Sequence, residues 1–223
     1  GWLLWQELYA KYNVRPIPCG LAPSAGGGWF LDELKRPDQL RGMKIRMDGL
    51  SGAVFSKLGA SVLPLASEDV SSALEKGVLQ GASSSIPALD EKNGLQKVAK
   101  RYYFPGWEQR ALVLELVVNL DKWKALSAAD RSLVESVCRD AIVQSLTVGE
   151  VNQAPAVARI RAEGVQVQAW PTEFLRAFKR AFDEVVKEES AKDAGFAKVW
   201  SSLARYRQSY SEWAKLTAVP DIN

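Results

Sequence analysis

The chain has 223 residues, enough for one sizeable core or two smaller lobes, and its 47% hydrophobic and 25% charged content is that of ordinary globular proteins. Its 29 basic and 26 acidic residues leave a net charge of +3, scattered without blocks, which argues against nucleic acid as a partner because that needs a concentrated cationic face. The complete lack of histidine removes Ser-His-Asp and Cys-His nucleophilic machinery and the commonest zinc ligand, and two distant cysteines do not make a zinc site.

No apolar run reaches the roughly 20 residues of a membrane helix. The opening segment Gly1 to Glu7 lacks the cationic start and small-residue cleavage site of a signal peptide. Residues 2–12 read as a helix end with aromatic anchors, followed by a short strand over Val14 to Pro18. Leu21 to Gly28, rich in Pro and Gly, reads as a loop. The run Gly26-Gly27-Gly28 lacks the spacing and trailing lysine of a phosphate loop.

From Gly42 onward the pattern alternates regularly. Met43 to Met47 predicts a strand, Gly52 to Leu58 a helix ending at Gly59, and Ser61 to Leu65 a second strand. Ser67-Glu68-Asp69 offers helix-cap chemistry to Val70–Lys76, which Gly77 stops, and Val78 to Ala82 predicts a third strand. Short links between such elements imply right-handed crossovers and a parallel sheet. Ala111 to Val118 is nearly continuous in apolar residues, as a buried strand is. A helix capped near Leu126–Asp130 is expected to run to about Gly149, with a second helical stretch to Glu163. Val165 to Trp170 predicts a last strand. Pro171 opens a helix of about five turns, and Phe196 to Leu216 a final amphipathic one with an aromatic stripe. That stripe reads first as a contact within the chain, with packing on a second subunit as the alternative. Cys138, on the apolar pattern Leu133 to Cys138, reads most simply as a core residue; a Cys19–Cys138 disulfide needs an oxidising compartment and is not fixed by the sequence.

In open parallel sheets ligands collect at the carboxyl ends of the strands. Arg46 stands at the end of the first strand of the repeating unit, and Ser83-Ser84-Ser85 directly follow the third. A guanidinium fork matches a carboxylate, and serine hydroxyls hold the remaining oxygens, so the pair suits a small organic acid. The bland reading is an ion-paired arginine, neutralised by Asp48 or Glu68, beside an ordinary serine loop. Tyr102 to Trp107 is an aromatic cluster that lines a pocket or packs in the core.

Several segments, in order, resemble one family. Gly28-Trp29-Phe30 with Glu33-Leu34, then Asp38-Gln39-Leu40-Arg41-Gly42-Met43-Lys44-Ile45-Arg46, is similar to the stretch "GWF…EI…DLkGlKiR" of the solute-binding proteins of tripartite ATP-independent periplasmic (TRAP) transporters. Lys57 to Leu65, Ala73 to Val78, Lys97 to Trp107 and Val118-Asn119 with Trp123 and Leu126 continue in register, and "YYFPGW" resembles the branch binding 2-oxo and hydroxy acids. The resemblance implies a DctP-like α/β receptor of the periplasmic binding protein type II kind, with two lobes of parallel or mixed sheets flanked by helices and long C-terminal helices. It implies closure about a hinge and docking on a membrane permease. It places the carboxylate-clamping arginine at Arg46 and a cleft-lining tryptophan at Trp107. An acidic residue and a tryptophan that help bind a metal ion and the substrate in the 2-oxo-acid branch are here Ser83 and Ser84. No metal or other cofactor is therefore expected, and Glu108 stands where it would partly compensate.

The same resemblance implies that most of a first lobe precedes this sequence: 1–19 and 107–149 would be its remnant with the hinge-crossing strand, and 20–106 with 150–223 the second lobe. Exposed apolar surface is then expected, with homodimerisation through the terminal helix. Two other readings stand beside the receptor. One is an α/β enzyme acting on a small carboxylate, with Glu108, Asp48 and Lys44 as its acid–base set and no spacing to tie them together. The other is a sensing or interaction module that uses the final helix.

Overall fold

The computed structural model describes residues 1–107 and 111–218, so Glu108 lies outside the described residues. In chain order the elements are α1 (Trp2–Ala10), β1 (Val14–Ala22), β2 (Gly28–Phe30), β3 (Lys44–Arg46), α2 (Gly49–Lys57), β4 (Ser61–Val62), α3 (Val70–Glu75) and β5 (Gly81–Ala82). Then follow α4 (Pro87–Lys92), α5 (Leu95–Val98), β6 (Arg101–Phe104), β7 (Leu112–Asn119), α6 (Leu120–Ala125), α7 (Ala128–Ala162), β8 (Gln166–Ala169), α8 (Thr172–Lys192) and α9 (Ala194–Thr217).

The expected α/β class is what the chain adopts. Six strands lie in the order β4-β3-β5-β2-β6-β8, and β1 pairs with β7 in a separate ribbon. β3 runs parallel to β4 and β5, as the strand–helix–strand repeat requires. β6 runs parallel to β8, and β2 enters antiparallel between β5 and β6, which makes the sheet mixed.

The chain divides into two compact units. The larger comprises Ile17–Leu116 and Leu126–Asp183, the smaller Gly1–Pro16, Val117–Ala125 and Glu184–Asn223. These bounds differ from those of the lobes drawn from the resemblance. The larger unit is a three-layer structure whose two cores follow from the alternation of side chains along a strand. Trp29 and Tyr102 point to one face, stacked at 4.0 Å between centroids, and meet Val70 and Leu74 of α3, Leu95 of α5 and Ile160 of α7. Their neighbours Phe30 and Tyr103 point to the other, where Trp170, Phe174 and Phe178 close over them. Leu34, Phe55 and Phe174 are likewise fully buried, a packing that accounts for most of the stability such a unit has.

The smaller unit holds Arg15 between the rings of Trp2 and Trp123, at 5.3 and 5.6 Å. Lys198 on α9 pairs with Glu7 on α1 at 2.7 Å, and the Asp193 carboxylate caps α9 by accepting from the Phe196 N–H.

Several expectations need correction. β7 is a strand but not a buried one: Leu112, Val113, Leu114 and Val117 are each about half exposed, because only β1 lies beside it. The helix expected to stop at Gly149 continues unbroken to Ala162, through Pro155. Gly149 is there for a different reason: a Cβ would come within 2.7 and 2.9 Å of the Pro23 ring, so the glycine marks a close approach rather than an end. β4 and β5 are two residues each, shorter than predicted, since Pro64 has no N–H to continue a ladder and Val78 and Leu79 instead wrap back onto the Ala73 carbonyl. Ser67–Asp69 forms a single 3₁₀ turn with no side-chain cap. Cys138, read most simply as a core residue, is buried and also bonded to Cys19. Among the described residues of α9 none is buried, so its aromatic stripe is not an internal core contact.

Candidate functional site

Arg46 and Ser83 meet at the carboxyl end of the parallel strands. Arg46 pairs with Ala82 across β3 and β5, and one residue further the Ser83 N–H donates to the Arg46 carbonyl at 2.7 Å. That register brings both side chains to one rim. Arg46 Nη1 donates to Ser83 Oγ at 2.8 Å, and Nε donates to the Leu65 carbonyl at 3.2 Å. The guanidinium is thus held from two sides while 16% of the side chain stays accessible. Asp48 Oδ2 lies 2.6 Å from Nη1, but its own side chain is 69% exposed. The neutralising partner anticipated for the bland reading therefore exists, though in a position where solvent weakens it.

The rim opens on a cavity of about 420 Å³, lined by Arg46, Glu68, Ser83, Ser84 and Asp90 among others. Asp90 is the residue that the sequence did not disclose. It sits in the first turn of α4 behind Pro87, 2% exposed, and receives four donors. Trp29 Nε1 and the Tyr102 hydroxyl donate to Oδ2, each at 2.9 Å, and Ser84 Oγ donates to the same oxygen at 2.5 Å. The Ser85 N–H donates to Oδ1 at 2.9 Å. Burial pushes the Asp90 carboxyl above its ordinary range, and these donors pull against that shift. Burial first, and then the Asp90 charge, hold the Tyr102 hydroxyl far above the usual phenol. One signal could have pointed this way: Trp29 and Tyr102 are large aromatic residues with a polar atom each, and such atoms need a partner when the ring is buried. Gly26 belongs to the same knot, since a Cβ there would collide with Tyr102 and Ser84.

Trp107 is not among the residues lining this cavity. Its ring stacks on Phe178 at 4.8 Å and lies near Phe55 and Phe182, in the aromatic cluster on the other face of the sheet. Its Nε1 is buried without a hydrogen-bond partner among the described residues, as is that of Trp170. Of the acid–base set, Lys44 is exposed, Asp48 is engaged with Arg46, and Glu108 lies outside the described residues.

A guanidinium is fixed at the strand ends of a helix-covered mixed α/β sheet, beside a hydroxyl-lined cavity. Residues 28–193 match the family described as bacterial extracellular solute-binding protein, family 7 (DctP), and the chain belongs to that family. A monocarboxylate 2-oxoacid-binding periplasmic protein of Nostoc sp. is 31% identical over 211 residues, covering 95% of this chain and 58% of that protein. A TRAP transporter solute-binding protein from Bordetella bronchiseptica, a dimer with calcium and picolinate in one active site, superposes with a TM-score of 0.92 at 30% identity, over 97% of this chain and 65% of that one. A TRAP periplasmic solute-binding protein from Pseudoalteromonas atlantica with bound sodium and pyruvate gives 0.90 at 28% identity, over 97% and 66%. The chain spans less than two thirds of the length of each relative. The relatives that it matches are solute-binding proteins.

Those two structures contain a bound cation as well as a bound acid. Here the two positions that the resemblance assigns to that task are serines, and Asp90 is already enclosed by donors. Among the described residues no three of His, Cys, Asp or Glu gather closely enough to hold a metal ion. The described residues do not fit a bridging cation.

Proposed function

We propose that the protein is the periplasmic receptor of a TRAP-type transporter, holding a small organic acid by its carboxylate at Arg46 and delivering it to membrane permease subunits. One observation carries the reading: a partly buried guanidinium, fixed by the Leu65 carbonyl and Ser83 Oγ, faces a polar cavity large enough for a small acid. An incoming carboxylate takes the place that Asp48 holds on Nη1, and the Ser83 hydroxyl adds a donor. Trp107 and Glu108 enter the proposal from the resemblance alone; the Trp107 ring stacks on Phe178 and does not line the cavity. In this reading 20–106 with 150–223 form the ligand-holding lobe, and capture proceeds by closure about a hinge. A periplasmic location agrees with the Cys19–Cys138 disulfide, which an oxidising compartment maintains. Among the described residues no helix is long and apolar enough to cross a membrane.

A second copy of the chain is the proposed partner of α9. Tyr206, Tyr210, Trp213 and Leu216 are exposed along it, and an apolar groove of about 500 Å³ lies between α1 and α9.

The test is calorimetric titration of small mono- and dicarboxylates, chosen by a thermal-shift screen. Arg46→Ala is expected to weaken the best acid by about 2–5 kcal/mol, the range for truncating one member of a buried charge pair. Unchanged affinity would remove Arg46 from the site.

A further inference from the structure

The carboxylate site has a hydrogen-bond polarity, and it follows from counting protons. A serine hydroxyl has one proton to give and two lone pairs to offer. Ser83 Oγ accepts from Arg46 Nη1, and its own proton meets no acceptor among the described residues. Ser84 stands the other way round. Three acceptors of the protein lie within reach of its one proton: Asp90 Oδ2 at 2.5 Å, the Ser85 carbonyl at 2.8 Å and the Tyr102 oxygen at 3.0 Å. Whichever takes it, the proton is bonded within the protein, and this holds for either ionisation state of Asp90, because the Ser85 carbonyl remains an acceptor in both. Arg46, Ser83 and Ser84 line the same cavity.

Resting on the carboxylate reading above, we infer that Ser84, oriented by Asp90 and Tyr102, is a specificity residue that accepts from a hydroxyl beside the ligand's carboxylate, so that the receptor selects hydroxy acids over the matching oxo acids. Arg46 and Ser83 supply donors to the acid group, and the next residue supplies only an acceptor. A 2-hydroxy acid matches that order. A 2-oxo acid brings a second acceptor against the Ser84 lone pairs, where the two oxygens repel and both lose hydrogen bonds to water. Sites built to bond a hydroxyl reject analogues without it by large factors, because a buried polar atom is left without a partner.

The experiment compares lactate with pyruvate, and 2-hydroxyglutarate with 2-oxoglutarate, by calorimetry on the 223-residue chain, on Ser84→Ala and on Arg46→Ala. Melting curves establish that each variant is folded. The expected result is at least tenfold tighter binding of one hydroxy acid than of its oxo partner. Ser84→Ala should shrink that ratio to within about twofold while still binding the oxo acid. Arg46→Ala should lose both acids. If both members of a pair bind and depend on Arg46, but the oxo acid binds as well or better, the inference fails and the carboxylate reading stands. A preference that survives in Ser84→Ala also overturns it. If no acid binds, or Arg46→Ala binds unchanged, both fall together. Should Ser84→Ala not fold, Ser84→Thr keeps the hydroxyl and is expected to retain the preference, and its loss in a folded Ser84→Thr counts against the inference.

Discussion

Arg46 and Asp48 lie two positions apart in sequence and touch at 2.6 Å, yet only the arginine is sheltered. An exposed ion pair of this kind contributes about 0.2–1 kcal/mol. A ligand carboxylate must displace Asp48 and gains that much less. Asp48→Asn is therefore expected to tighten binding of the best acid by about two- to fivefold, read by calorimetry at low salt, where surface charges are least screened. Asp90 obeys a different balance. Its folded carboxyl binds a proton more tightly than an ordinary one, chiefly through burial. Between the ordinary carboxylate value, about 4, and the raised one the native state holds a proton that the unfolded chain has lost. Its contribution to stability accordingly falls as pH rises through that window and is level beyond it. The melting temperature of Asp90→Asn relative to the native sequence should rise over the same window, whatever constant offset the substitution brings. A flat difference would mean that the four donors fully offset burial. Glu7 and Glu91, lowered by Lys198 and Arg159, work in the opposite sense, with stabilisation lost as pH falls. Because both are present in each variant, they cancel in the comparison. Arg46 and Ser83 were legible in the sequence because strand ends are legible. Asp90 was not: an acid behind a proline at a helix start looks like any first-turn carboxylate, and only the chain packing brings Trp29 and Tyr102 onto it.

At the scale of elements, the alternation from β3 to β5 was readable because glycines close each helix; Gly59 and Gly77 adopt φ of +92° and +68°, which other residues rarely do. β2 and β6 were harder. Three buried residues in β2, and aromatic neighbours facing opposite cores in β6, give no polar–apolar alternation to read. β7 misled for the converse reason: an apolar strand announces that it wants cover, not that it has it. α7 shows how one glycine supports two readings. A terminator at Gly149 would tolerate a larger side chain in open space, whereas the close approach to Pro23 does not. Gly149→Leu is expected to lower stability by about 1–3 kcal/mol through overpacking, measured by urea denaturation. A neutral or stabilising effect would show that Pro23 moves aside.

At the scale of the molecule, two features concern assembly and endurance. If α9 receives a second copy, Tyr210→Glu with Trp213→Glu should halve the sedimenting mass, read by analytical ultracentrifugation. The Cys19–Cys138 bond joins residues 119 apart, and on a chain-entropy account its reduction costs about 5 kcal/mol of stability. Denaturation with and without reductant measures that difference. The same bond has a topological result. Arg46, Ser83, Ser84, Asp90 and Trp107 all fall within the segment that it closes into a covalent ring. A protease that nicks this ring once opens it without parting its pieces. The cut particle should run as a single band on a non-reducing gel and as two once thiol is added.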